Sequence, residues 1–219
     1  MELSAAILHR RSIRGFQKTP VPQEIVVEVL RLASHAVSTN NIQPWGFAVV
    51  SGDVLSELKE ANLLDLAENR PPDHPDIPLA GEYLDRAKNV GKAIYEAMGI
   101  AREDHDRRIW WLRRGYAFFD APVAILLHME QSLDEAAYRF DLGCVAQMIC
   151  LAAMEYGLGT CIENQAITYQ RGIREKLKIP TNRRLVCGIA VGYPDWDFPA
   201  NQVITEREPL EHLCHWHGF

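Results

Sequence analysis

The stretch YRFDLGCVAQMICLAAMEYGLG, residues 138–159, decides the fold. Its apolar residues fall nearly all round a helical wheel and Ala and Met abound, a pattern that predicts a central helix buried on several sides. Gly157 and Gly159 read as its end. Asp141 inside it is a carboxylate that needs a structural partner if it is buried, although perturbed carboxylates also mark functional sites.

Outward from this helix the chain alternates helices with few strands. On one side TCIENQ leads into an amphipathic helix over 169–177, stopped by Pro180, and RLVCGIAVGYP then reads as a fully buried strand. On the other side PVAILLH, residues 122–128, is a strand. Further out, residues 2–9 form a short helix. Pro22 suits the first position of a second helix, with Ile25, Val29, Leu32, Ala33 and Ala36 at helical spacing. FAVVS, residues 47–51, reads as a strand and 53–68 as a helix. RPPDHPDIP then breaks all regular structure. Two more helical patterns, 81–98 and 104–119, complete an insertion of about seventy residues between neighbouring strands, far beyond an ordinary connection. Residues about 70–119 are therefore expected to form a lid or dimer arm inserted in a single domain spanning 1–219. The mixture of elements is α+β.

Composition excludes several classes. Acidic residues outnumber basic ones, 29 against 23, and the formal net charge of −6 argues against a nucleic-acid partner. No secretory signal is read at the N-terminus, and no apolar run approaches the ~20 residues of a membrane span. The five cysteines form no CxxC pair and suit a reducing, cytoplasmic setting. His212, Cys214, His215 and His217 cluster near the C-terminus, but their spacing matches none of the usual zinc patterns, so no metal is expected.

Three polar segments carry the candidate chemistry. RRSIRGF gathers Arg10, Arg11, Ser12 and Arg14, whose forked donors suit a phosphate or carboxylate; a solvated basic turn is the other reading. STNNIQPW supplies amides and hydroxyls able to pair with the edge of a heterocycle, or to bond among themselves in an Asx turn. GLGTCIENQ is no dinucleotide fingerprint, because its glycines follow a helix and the third is missing, yet its turn can present backbone N–H groups to a ligand. No catalytic triad, HExxH, Walker loop or carboxylate pair appears. If the chain is an enzyme, a cofactor carries the reaction.

Taken in order, RRSIRGF, STNNIQPWGFAVV, DLGCVAQMICLAAMEYGLGTC and CGIAVGYPDWDFPANQVITEREPLEH resemble the FMN-dependent nitroreductase family from end to end. The insertion, with RAKNVGKAIYEAMGIAREDHDRRIWW, resembles the branch of nitrobenzoate and nitrophenol reductases. The resemblance implies a central mixed or antiparallel sheet flanked by helices, in an intertwined homodimer with a C-terminal dimer arm at about 200–219. It implies bound FMN, NADH or NADPH as electron donor, and reduction of a small aromatic acceptor by a ping-pong route.

By the same resemblance Val37, Ser38, Thr39 and Asn41 would line the isoalloxazine ring from one subunit, while Arg10, Arg11 and Ser12 contribute from the other. Arg207 would join Arg10 and Ser12 on the phosphate and ribityl chain, with Thr205 in the place of a frequent lysine. Arg14 would lie near the N1–C2 edge and Gln147 near the ring edge. Backbone N–H groups around Glu163, Asn164 and Gln165 would face N5, although CIENQ lacks the glycine usual in this turn. Trp110 and Trp111 of DRRIWWLRRGY would roof the acceptor or else fill the core. Two alternatives remain: the same flavin fold acting as ene-reductase, dehalogenase or dehydrogenase, and a flavin-holding redox sensor without turnover.

Overall fold

A computed structural model describes residues 2–73 and 78–219. Residues 74–77, the centre of the proline-rich stretch, lie outside the described residues. In chain order the elements are α1 (Leu3–His9), α2 (Gln23–Ala33), β1 (Trp45–Ser51), α3 (Gly52–Ala67), α4 (Gly81–Ala97), α5 (His105–Tyr116), β2 (Val123–Glu130), α6 (Ala136–Glu155), β3 (Gly159–Glu163), α7 (Gln170–Leu177), β4 (Arg183–Gly192) and α8 (Leu210–Leu213). The strands lie in the order β1, β2, β4, β3, and every pairing is antiparallel, so the sheet is not mixed.

Helices cover both faces of the sheet. Val123, Ile125 and Leu127 of β2 pack with Ile189 and Val191 of β4 against Val26 and Val29 of α2 and Val145 and Ile149 of α6. The alternate residues Ala124 and Leu126 join Leu185 and Ala190 on the opposite face, against Leu55 and Leu58 of α3, Ile173 of α7 and Phe118. Burial on both faces explains why β2 reads as one apolar run instead of an alternation.

The central helix α6 is buried along one side only, which corrects the expectation of burial on several sides. Leu142, Val145, Ala146, Ile149, Cys150 and Ala153 face the core, whereas Gly143 and Gln147 are exposed and Phe140 is 71% exposed. At 20 residues α6 is long enough to cross a membrane, but its inner side packs on the sheet. Gly157 alone ends it. With φ at 69° it takes the left-handed position, while its amide reaches Met154 O and that of Leu158 reaches Ala153 O, a Schellman closure. Gly159 instead opens β3, a strand passed over in the sequence because it is short and begins inside a Gly-Leu-Gly run. A Cβ on Gly159 would lie 2.5 Å from Ile13 Cγ1, so glycine here lets the N-terminal segment approach the sheet edge.

Two helix ends also differ from expectation. Pro22 is the N-cap of α2 and not its first residue. The helix expected over 104–119 stops at Tyr116, because Phe118, Phe119 and Asp120 adopt left-handed backbone with φ of 53°, 49° and 61°. Three consecutive non-glycine residues in that region are costly, and they persist only where surrounding contacts hold them.

Candidate functional site

The arginine turn docks along the edge of the sheet. Ser12 bridges Thr160 of β3, Ile13 N donates to Thr160 O at 2.9 Å, and Gln17 N donates to Tyr193 O at 2.9 Å. Asn201, with no exposed surface, locks the turn: its Oδ1 accepts from the amides of Arg14 (2.7 Å) and Gly15 (3.2 Å). Its Nδ2 donates to Gly15 O and Asp195 O, both at 2.7 Å. The side chain thereby uses both donors and accepts twice. Nothing in the sequence singled out Asn201; it stands in an unremarkable PANQ and acts on residues 186 and 187 positions away.

Arg114 braces the same region from α5. It donates to Arg14 O at 2.9 Å and Phe119 O at 3.2 Å, pairs with Asp120, and lies over the rings of Trp110 and Phe198. These contacts hold the left-handed turn at Phe118–Asp120 in place.

Beside the braced turn opens a cavity of about 820 Å³, lined by Arg14, Leu112, Tyr116, Phe119 and the segment Glu163, Asn164 and Gln165. The sequence-expected residues brought together here are thus Arg14 and that segment. Among the described residues the amides of Asn164 and Gln165 donate to no protein acceptor outside regular elements, so both are available to a ligand. The Gln165 side-chain amide lies against Gly115 of α5, in the space that a Cβ there would take. Cys161 also lines the cavity, but burial and the neighbouring Glu163 push its thiol up to about 12, so it is no nucleophile.

The other expected residues lie elsewhere in the chain. Arg10 and Arg11 line a smaller pocket of about 200 Å³ with Thr160 and Trp196, and Arg11 sits 5.1 Å from the Trp196 ring centre. Val37, Ser38, Thr39 and Asn41 belong to a loop fastened to α6: Asp141 accepts from the Thr39 amide at 3.0 Å and from its hydroxyl at 3.4 Å. Asp141 therefore has the structural partner its burial demands. Gln147 is exposed on the same helix, and exposed Arg207 donates within its own segment, to Thr205 and Glu206. Trp111 packs against Phe119 and Phe198, and Trp110 is 42% exposed. It is Leu112 and Tyr116, not the tryptophans, that α5 turns into the cavity. At the C-terminus His212 bonds Glu208, and among the described residues no group of three metal-ligating side chains converges.

An antiparallel sheet between helical layers, with an arginine turn locked to its edge beside a ligand-sized cavity, defines an α+β small-molecule-binding protein. The chain belongs to the nitroreductase family, whose sequence profile matches residues 7–193. It is 35% identical over 214 residues to a 4-nitrobenzoate reductase of Nocardioides sp. (strain LMS-CY), covering 94% of this chain and 86% of that one. It is 32% identical over 210 residues to the nitrobenzene nitroreductase of Ectopseudomonas oleovorans, covering 94% and 92%. Among solved structures it resembles the FMN-dependent nitroreductase NfnB from Mycobacterium smegmatis in complex with NADPH, with a TM-score of 0.92, 32% identity, and coverage of 98% and 97%.

Proposed function

We propose that the protein is an FMN-dependent oxidoreductase that uses NAD(P)H to reduce nitroaromatic acceptors by a ping-pong route, and that it works as a cytoplasmic homodimer. The observation that carries this reading is the convergence of Arg14 with the free amides of Asn164 and Gln165 on one cavity of about 820 Å³, a size suited to small ligands. The residues present fit a flavin: a fixed cation, a row of donors and the apolar walls Leu112, Tyr116 and Phe119 surround a single space.

When bound, FMN would supply the acceptance of a hydride and the passing on of its two electrons, which no side chain here can perform. Arg14 provides positive charge where the reduced ring is anionic, and the segment Glu163, Asn164 and Gln165 orients the ring edge by donating to it. Arg10, Arg11, Ser12 and Arg207 hold the phosphate end. Val37, Ser38, Thr39, Asn41 and Gln147 close the ring from the second copy, since in one chain they stand apart from the cavity. Support for a second copy comes from the open side of α6 with Phe140, and from the tail, where Leu213 and Trp216 are 60% and 68% exposed.

The test is spectroscopic. Purified protein should be yellow, release FMN on denaturation, bleach with NADH or NADPH under anaerobic conditions, and regain its colour on adding 4-nitrobenzoate or nitrobenzene. Release of FAD or of no chromophore would refute the cofactor; bleached protein that ignores every nitroarene would refute the acceptor class.

A further inference from the structure

Glu163 contributes more to the cavity than its backbone. The residue is 8% exposed, and neither carboxyl oxygen has a hydrogen-bond partner. Arg14 from the arginine turn and Lys59 from α3 attract it, and Cys161 is the third titratable group facing it. Arg114 and Asp120 act on Lys59 beyond it. Lys59 is held away, its Nζ donating to Ala121 O at 2.8 Å. An acid kept for stability would be bonded, because a buried unpartnered polar group costs free energy that nothing in this fold returns.

We propose that the carboxyl of Glu163 sets the charge that Arg14 presents to the flavin, so that loss of its proton lowers the reduction potential of the bound cofactor. This inference rests on the FMN reading above. Burial raises the Glu163 pKa well above the ordinary 4.5 in spite of Arg14 and Lys59, so the acid keeps its proton past the pH at which an exposed glutamate loses it. In that state the charge of Arg14 is uncompensated and favours the reduced anion; two electrons and one proton enter as hydride, and Glu163 exchanges nothing. Where the oxidised state has lost this proton and the reduced state regains it, reduction draws one additional proton from solvent onto the carboxylate; at higher pH Glu163 is ionised in both states, offsets Arg14, and no additional proton enters.

The measurement is the midpoint potential of FMN-loaded protein against reference dyes, from mildly acidic to alkaline pH. Wild type should show a window in which the potential falls twice as steeply with pH, since each proton taken up per electron pair adds the same increment, about 30 mV per pH unit. Glu163→Gln should give a line without that window, level with wild type in acid and above it in alkali. Lys59→Met should move the window to higher pH, because a cation that favours ionisation is gone. A straight wild-type line, or a window that persists in Glu163→Gln, overturns the proposal.

A second measurement needs no cofactor. A carboxyl whose folded pKa lies above its unfolded one costs stability as pH rises from the unfolded value toward the folded one. Glu163→Gln should therefore gain stability over wild type on going from acid to neutral pH, and no gain would contradict the unpaired buried acid. Protein that binds no FMN would overturn the proposed function and this inference with it; protein that binds FMN and shows a straight line overturns the inference alone.

Discussion

The arginine turn and the amide-rich loop are both short polar segments next to a core helix or sheet edge, and the chain treats them in opposite ways. The turn is completed from within: Asn201 meets the backbone of Arg14, Gly15 and Asp195 with four hydrogen bonds, and Arg114 adds another to Arg14 O. The loop is held by Asp141 at Thr39 and by the Gln43 amide on Ser38 Oγ, while Asn40, Asn41 and Gln43 take left-handed backbone with φ of 49°, 58° and 48°. One segment is finished by its own chain. The other is strained, exposed and displayed, as expected of a surface shaped for something outside the chain.

The largest effect should come from dismantling the finished half. Asn201→Ala leaves the amides of Arg14 and Gly15 without partners, while Gly15 O and Asp195 O keep the amides of Asp195 and Phe198; at about 1–3 kcal/mol for each buried group left unmade, a loss of roughly 2–4 kcal/mol is expected in urea unfolding. A loss below about 1 kcal/mol would mean that the turn is held by other contacts.

The displayed half should break more locally. Asp141→Asn removes the charge that accepts from the Thr39 amide and hydroxyl, costing about 1–2 kcal/mol. Hydrogen exchange should quicken at Thr39 while the arginine turn keeps its protection. Equal loosening of both segments would erase the distinction between them.

The smallest effect concerns α5. Arg107 donates to Gly99 O and Met98 O, Arg108 lies 4.1 Å from the Tyr95 ring centre and Arg114 braces the turn, whereas exposed Arg113 has no partner among the described residues. Arg113→Ala should raise KM for nitrobenzoate a few-fold, as about 1 kcal/mol of exposed charge pairing would, and leave KM for neutral nitrobenzene unchanged. Parallel changes for both acceptors would mean that this helix does not read charge.

Much of this architecture was legible in the residues. The apolar runs of β2 and β4 announced themselves because each is buried over most of its length, α6 because its buried side and its open side are both apolar, and the polar segments stood out because ordinary loops need fewer donors. What stayed hidden depends on partners distant in sequence. β3 was masked by Gly159, the glycine that lets Ile13 approach it. Asn201 acts across 186 residues, and the left-handed turn at Phe118–Asp120 is held by Arg114 and by the burial of its two phenylalanines. The tryptophans of α5 looked like a roof, but a helix shows one side at a time, and Leu112 and Tyr116 occupy the side that faces the cavity.

The claim that the two segments are halves of one site from two copies can be tested by complementation. A chain carrying Arg10→Ala and Arg14→Ala and a chain carrying Ser38→Ala, Thr39→Ala and Asn41→Ala are each purified, then unfolded and refolded together, and bound FMN is measured by absorbance. Neither parent should hold flavin tightly, whereas the mixed dimer contains one intact turn facing one intact loop and should recover FMN and its bleaching by NAD(P)H. No recovery in a mixture shown to contain mixed dimers, or tight FMN binding by a single isolated chain, would contradict the account.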